Sequence, residues 1–529
     1  MTPSDNDAAL KKPPKRALRV LRAIGELIRG LNKSRRLVFA FAAGAVSALA
    51  FEPFNLFPLL LLGFAALVLL LDGAHGRPHP VRAAASAGWA FGFGQFLVGL
   101  HWIGYAFMVD PGAHAWQIPF VAVLFPGGLA LFVMAACAVA GRLWRPGPAR
   151  ILIFALCYGI AEWLRGHVLT GFPWNVAAYG WGASLAVLQS TALFGSYTLT
   201  LLTILLGAAL APLFELRPKW GFAAVMAGFF TLLCAGGAVR LATTHPALVD
   251  GVKVRLVQPD IPQAEKYDRQ YVVRNWERLI ALSSRPGAPT IIVWPEAAPS
   301  FLLMRSPGAL EDIAALTANG QGLITGAIRS HGEGRYSNSL YVFGRNGAVI
   351  GSYDKFHLVP FGEYLPFEKT LESLGLKKLT GIDGSFVAGD GPHTYALPGA
   401  GRVAPLICYE ILFPDEVVAA GDRPDWFVNV TDDSWFGPWA GPRQHLLVAR
   451  VRAIEQGLPV VRAANTGISA IIDPLGRLTA QLGLDEMGVV DGRLRAPIAA
   501  TPYSRLGEWV FGLVVCALAA LAWLFSKGK

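Results

Sequence analysis

Apolar runs of membrane-spanning length constrain this chain more than any other feature. They fall at about 37–51, 54–72, 86–108, 118–141, 150–164, 196–213, 220–239 and 509–525. A helix needs ~20 apolar residues to cross ~30 Å of hydrocarbon. Lipid offers backbone groups no hydrogen-bond partner, so such runs must be helical. Hydrophobic residues are 53% of the 529 and charged ones 16%, with a mean hydropathy of +0.44, far from the balance of a soluble globule. The expectation is an α-helical membrane bundle of about eight transmembrane helices. Two runs, 37–51 and 150–164, are short; the first is bounded by Glu52-Pro53 and calls for local bilayer thinning or extension into its basic flank.

Lysine and arginine set the orientation, because cytoplasmic loops carry their excess. The N-terminal tail 1–36 holds ten; loops 73–85, 142–150 and 214–219 and the C-terminal tail add two, three, two and two. The opposite loops, 52–53, 109–117 and 165–182, hold Arg165 alone. Nineteen against one puts both termini on the cytoplasmic side. With seven spans before it and one after, the region 240–508 then lies outside, and its length suits one large domain. The expected organisation is a basic cytoplasmic tail over 1–36, a seven-helix transmembrane region over 37–239, an extracytoplasmic domain over 240–508, and a last span with a short cytoplasmic tail over 509–529. In the first tail, Leu18, Leu21, Ile24, Ile28 and Leu31 recur at helical spacing among arginines, as in an interfacial helix. The net charge of +10 comes largely from this tail and the inner loops. It therefore faces anionic lipid and does not indicate nucleic acid.

Cys137, Cys157, Cys234 and Cys516 sit in the apolar runs, leaving Cys408 alone in the outer domain. It has no disulfide partner there. A lone cysteine is commonly a small buried hydrophobe, but an unpaired thiol in an oxidising compartment is a liability, which favours a chemical use.

Within 240–508 the apolar pattern shortens to strands. VKVRLVQ at 252–258 alternates, TIIVW at 290–294 is a buried run, and 339–353 forms a hairpin turning at Asn346-Gly347. Further strands are expected at 403–408, 426–430 and 459–464, another hairpin at 467–481, and helices at about 266–284, 308–319 and 442–456. Three reactive side chains follow such strands: Glu296 in WPE, Lys355 in YDK and Cys408 in ICYE. Singly, Glu296 could cap a helix and Lys355 could be a solvated hairpin-end charge. Together they meet the needs of covalent acyl transfer. A thiol with pKa ~8.5 is mostly protonated at neutral pH and needs a base, for which Glu296 serves. The oxyanion that forms needs a cation and a backbone N–H, for which Lys355 and the amide of Tyr409 serve.

These segments resemble the nitrilase superfamily, whose Glu-Lys-Cys triad sits on an αββα sandwich. TDDSWFG at 431–437 and RAANTGISAIIDPLGR at 462–477 are also similar to it. Soluble members lack membrane spans; GFPWN at 171–175 and VQPDIPQ at 257–263 extend the resemblance to its membrane branch, the apolipoprotein N-acyltransferases. The resemblance implies a bacterial inner-membrane enzyme with a periplasmic catalytic domain. Its Cys408 takes an acyl chain from a membrane phospholipid as a thioester, and the N-terminal amine of a diacylglyceryl-cysteine apolipoprotein receives it, the last step of lipoprotein maturation. It further implies that Glu363 supports Lys355, that Glu410 holds the nucleophile loop, and that Tyr267 and Trp435 line the substrate pocket. Tyr267 stands where the family often has tryptophan. A thioester keeps the acyl group activated, so no nucleotide or other cofactor is expected. His331, His357, His393 and His445 lack ligand spacing, so no metal is expected either.

Loop 165–182 has the aromatic content of an interface, and Glu162 and Arg165 are spaced to pair. The Gly- and Pro-bearing stretch 360–390 is expected to contain a mobile lid. Two other readings remain: a tethered amidase of small substrates, for which one anchor would suffice, and a transporter or scaffold, against which stands the scarcity of polar residues within the spans.

Overall fold

In the computed structural model, residues 15–215, 220–373, 378 and 384–527 are described. Eight helices occupy the expected apolar runs: Lys33–Ser47, Phe57–His75, Pro80–Gly99, Ile118–Leu143, Ala149–His167, Thr191–Ala208, Trp220–Thr243 and Trp509–Lys527. Among the described residues, six helical segments are long and apolar enough to cross a membrane alone. A seventh span results if Pro80–Gly99 and His101–Met108, bent by 50°, are one. The first run is the exception: its helix has 15 residues. Continued by the 3-10 turn Ala48–Ala50, it reaches about 28 Å at ~1.5 and ~2.0 Å rise per residue.

Small residues let these helices touch. A Cβ on Gly44 would lie 1.9 Å from the Phe91 carbonyl oxygen and one on Gly94 would lie 2.2 Å from that of Phe41, so Lys33–Ser47 and Pro80–Gly99 pack backbone to backbone. The tail forms the helix Lys15–Gly30, whose Ile28 is buried. Arg29 Nη2 donates to the Phe214 carbonyl at 3.0 Å, tying it to the bundle beyond the end of Thr191–Ala208.

The domain between the helices Trp220–Thr243 and Trp509–Lys527 is a four-layer sandwich. Its strands are β1 (Leu248–Gln258), β2 (Ile291–Val293), β3 (Gly322–Gly332), β4 (Arg335–Phe343), β5 (Val349–Asp354), β6 (Ser385–Phe386), β7 (Tyr395–Leu397), β8 (Gly401–Ile407), β9 (Trp426–Thr431), β10 (Val460–Ala464), β11 (Ser469–Ile472), β12 (Leu478–Leu482) and β13 (Gly488–Arg495). One sheet runs β13-β1-β2-β3-β4-β5, with β6 beside the free end of β4; the other runs β12-β11-β10-β9-β8-β7. Val254, Val293, Ile324, Val403, Val428 and Val461 fill the space between them. Helices Val272–Ser283 and Pro307–Leu316 cover the first sheet through Leu279, Leu282 and Ile313. The helix expected over 266–284 is broken: Gln263–Lys266 is a separate turn.

Helix Ala440–Gln456 joins the two halves of the protein. Leu446, Ala449 and Ala453 pack on the second sheet. Leu447, Val448, Val451 and Ile454 pack on the membrane bundle. Two apolar faces explain why it is buried all round. Gln444, near its start, binds the bundle directly: its Oε1 accepts from Trp102 Nε1 (3.0 Å) and Trp174 Nε1 (2.7 Å), and its Nε2 donates to the carbonyls of Glu52 (3.0 Å) and Gly99 (3.4 Å).

Candidate active site

Three strand ends bring Glu296, Lys355 and Cys408 into one buried site. Glu296 follows β2, Lys355 follows β5 and Cys408 follows β8. All three side chains are buried. Lys355 Nζ lies 3.0 Å from Glu363 Oε2 and 3.7 Å from Glu296 Oε1. Asn338 Nδ2, from β4, donates to both carboxylates, at 2.7 Å to Glu296 and 2.9 Å to Glu363. The other oxygen of Glu296 accepts from the Asp432 amide at 2.9 Å, and that of Glu363 from the Val359 amide at 2.8 Å. Glu296 therefore caps no helix, and Lys355 is not a solvated charge.

Cys408 begins a tight turn. Its φ of +52°, costly for a residue with a Cβ, swings the chain from β8 into the 3-10 helix Cys408–Leu412. The first N–H groups of such a helix have no intrahelical acceptor, so the Tyr409 amide is well suited to receive an oxyanion. Glu410 holds the turn from within: it accepts from the amides of Ile407 (2.7 Å) and Phe356 (2.8 Å) and from the Tyr353 hydroxyl (2.8 Å). From behind, His445 Nε2 lies 3.2 Å from the Cys408 carbonyl oxygen. His445 Nδ1 lies 2.9 Å from Asp433 Oδ1, and Arg462 Nη2 donates to Asp433 Oδ2 at 2.6 Å.

The electrostatics follow from burial and neighbours. Burial, reinforced by Glu296, pushes the Cys408 thiol well above its ordinary value, while Lys355 draws it down. Burial also raises Glu296, again opposed by Lys355. For Lys355 burial disfavours the ammonium, but Glu363 and Glu296 outweigh it and hold the amine protonated. The resting site thus contains a neutral thiol beside a fixed cation and a carboxylate of raised basicity. Burial pushes Glu410 up to about 7, offset in part by its amide donors.

The other expected residues lie nearby with fewer contacts. The Tyr267 ring is half-exposed, and its hydroxyl is under the influence of Lys266, Asp432 and Glu296. Trp435 is half-buried on the turn Asp433–Phe436. Glu162 and Arg165 pair at 2.9 Å, and Arg165 also donates to the Trp174 carbonyl at 3.0 Å, bracing the 171–175 loop. Of the stretch expected to hold a lid, residues 374–377 and 379–383 lie outside the described residues. Sequence reasoning missed Asn338, Lys266 and the His445–Asp433–Arg462 group. Asn338 had a signal: the polar run Ser-Asn-Ser at 337–339 leads directly into the apolar stretch 340–343. Lys266, whose Nζ donates to the Glu296 carbonyl at 3.0 Å and pairs with Asp432, had none.

Residues 253–503 match the Carbon-nitrogen hydrolase family, and residues 43–209 match the Apolipoprotein N-acyltransferase N-terminal domain. The chain is 43% identical over 512 residues to the apolipoprotein N-acyltransferase of Rhodopseudomonas palustris, covering 93% of this chain and 96% of that one. It is 44% identical over 506 residues to that of Bradyrhizobium diazoefficiens, covering 92% and 94%. Among solved structures, an amidase from Nesterenkonia sp. is similar at 18% identity and a TM-score of 0.35, covering 48% of this chain and 94% of that one. A carbon–nitrogen hydrolase sandwich joined to a helical membrane bundle, with relatives this similar along nearly its whole length, makes the chain a member of the apolipoprotein N-acyltransferase family.

Proposed function

We propose that this acyltransferase moves a fatty chain from a membrane phospholipid to the N-terminal amine of a diacylglyceryl-cysteine apolipoprotein, with Cys408 as nucleophile, Glu296 as base and Lys355 as oxyanion cation. The observation that carries the reading is the Lys355 ammonium held 3.0 Å from Glu363 and 3.7 Å from Glu296 in the buried site of Cys408. Glu296 takes the thiol proton as Sγ attacks the acyl ester carbonyl. The oxyanion meets Lys355 and the Tyr409 amide. The ester C–O bond then breaks, the proton on Glu296 passes to the leaving lysophospholipid, and a thioester remains.

The second half reverses these roles. An α-amine has pKa ~8, so a usable fraction is neutral. It attacks the thioester, gives its proton to Glu296, and expels the Cys408 thiolate, which is then reprotonated. Substrates with several acyl chains stay in the bilayer, because each buried CH₂ contributes ~0.8 kcal/mol. The contact of the Tyr409 turn with the 171–175 membrane loop supports access from the outer leaflet.

The same reading gives the topology: an inner-membrane protein with its tail 1–36 and both termini in the cytoplasm, its bundle over 37–239 and 509–529, and its catalytic domain 240–508 in the periplasm. It requires the 33–50 segment to count as a span. The test is incubation of the purified protein with a radiolabelled phospholipid. Label releasable by hydroxylamine is expected on the wild type; its persistence in Cys408→Ala excludes the nucleophile.

A further inference from the structure

Where the catalytic domain meets the outer ends of two membrane helices, three ligand-type side chains converge. They are His167 at the end of Ala149–His167, Asp415 in the loop that leaves the Cys408 turn, and Glu508 just before Trp509–Lys527. His167 Nε2 lies 3.2 Å from Glu508 Oε2 and 3.8 Å from Asp415 Oδ2, and one ligand atom of each lies within 4.8 Å of the other two. Ligands of a tetrahedral ion bound at ~2.0–2.2 Å stand about 3.3–3.6 Å apart, so small side-chain adjustments close the set.

Three further observations point to a cation. First, His167 Nδ1 lies 2.7 Å from the Trp163 carbonyl, which keeps a proton on Nδ1 and turns Nε2 toward the carboxylates. Ligating histidines are commonly oriented in this way. Two carboxylates facing one imidazole nitrogen need a positive charge between them, either a proton on Nε2 or a metal ion that displaces it. Second, Nε2 is buried 3.2 Å and 3.8 Å from the two oxygens without a well-aligned hydrogen bond to either, and Glu508 Oε1 is buried without a partner. Third, Tyr197, 4% exposed, leaves its hydroxyl without a partner, with its ring 5.4 Å from that of His167. The Trp163 indole N–H donates to Glu508 Oε2 at 2.5 Å, so a second candidate ligand is held from outside the set. The Asp415 side chain is 42% exposed, which supplies an entry path.

We propose that His167, Asp415 and Glu508 bind a divalent transition-metal ion, of the class that one imidazole and two carboxylates select, zinc or manganese. The ion fastens the loop after Cys408 to two membrane helices. It is independent of the acyl-transfer reading, because nothing in the set touches Cys408.

The test uses the full-length protein in detergent, stripped with a chelator, reloaded with zinc, desalted and assayed by elemental analysis. One zinc per chain is expected, lost in His167→Asn and in Glu508→Gln and retained in His393→Asn. Trp163→Phe, which removes only the outer donor, is expected to weaken zinc binding about 10–100-fold and keeps the test open should the ligand variants misfold. Wild type that takes up no zinc, or uptake undiminished in the ligand variants and in Trp163→Phe, overturns the proposal. So does a thiolate charge-transfer band on reloading with cobalt, which would put the ion on cysteine.

Discussion

The Tyr409 hydroxyl donates to the carbonyl oxygen of Gly171 at 2.9 Å, joining the residue after Cys408 to the membrane loop 171–175. Both groups are buried, so loss of the donor leaves a carbonyl unsatisfied at a cost of ~1–3 kcal/mol. Gly171 has φ +76°, and a Cβ there would lie 2.1 Å from the Gly166 carbonyl oxygen, so the loop has little room to readjust. Tyr409→Phe is therefore expected to lower the thermal midpoint by several degrees and slow thioester formation about tenfold. An unchanged rate in a burst assay would show that loop and turn act separately.

Lys355 is expected to act as a fixed charge, since Glu363 and Glu296 keep it protonated against the effect of burial. Replacement by methionine preserves bulk and removes the charge. Loss of an oxyanion donor costs about 10²–10³ in rate, so Lys355→Met is expected to fall by that much with substrate binding nearly unchanged. Glu363→Gln keeps the hydrogen-bond acceptor but removes half the counter-charge, and should fall less. Equal losses in the two variants would argue against this division of roles.

Glu410 gives the fold a pH dependence. Its folded pKa is raised by burial from the ordinary 4.5 to about 7, so its favourable contribution is complete below about 4.5 and is lost as pH climbs through about 7. Stability should decline across that window by roughly 3 kcal/mol at most. Thermal melts at the two ends of the window, with Glu410→Gln giving the flatter profile, check the sign. A midpoint that rises with pH would refute it.

Gln444 occupies a position no apolar residue can fill. Gln444→Leu strands the indole N–H groups of Trp102 and Trp174 and the carbonyls of Glu52 and Gly99, each at ~1–3 kcal/mol where buried. The expected result is faster proteolysis at the seam between domain and bundle. Wild-type resistance would mean that the apolar face of Ala440–Gln456 suffices.

His445 approaches the Cys408 carbonyl at 3.2 Å and so braces a turn with φ +52°. His445→Asn is expected to reduce the rate of Cys408 alkylation by iodoacetamide, with the protein still folded by circular dichroism. Unaltered alkylation would leave His445 a packing residue.

Apolar runs and strand alternation are local properties, so the sequence alone determined the eight helices, most strands of the sandwich, and the three strand ends that carry Glu296, Lys355 and Cys408. Hydrophobic transfer and period fix these without reference to the rest of the chain. It fell short where the cause was distant. The short helix Lys33–Ser47 is held by backbone contact with Pro80–Gly99, and the expected 266–284 helix breaks at Lys266, whose ammonium is drawn to Asp432 and the Glu296 carbonyl. Only the tertiary structure decided that Asn338 bridges two carboxylates, that His445 grips the Cys408 turn from behind, and that His167, Asp415 and Glu508 meet. Buried charges and hydrogen bonds are satisfied by whichever partners the fold brings within about 3 Å, and spacing along the chain says nothing about that distance.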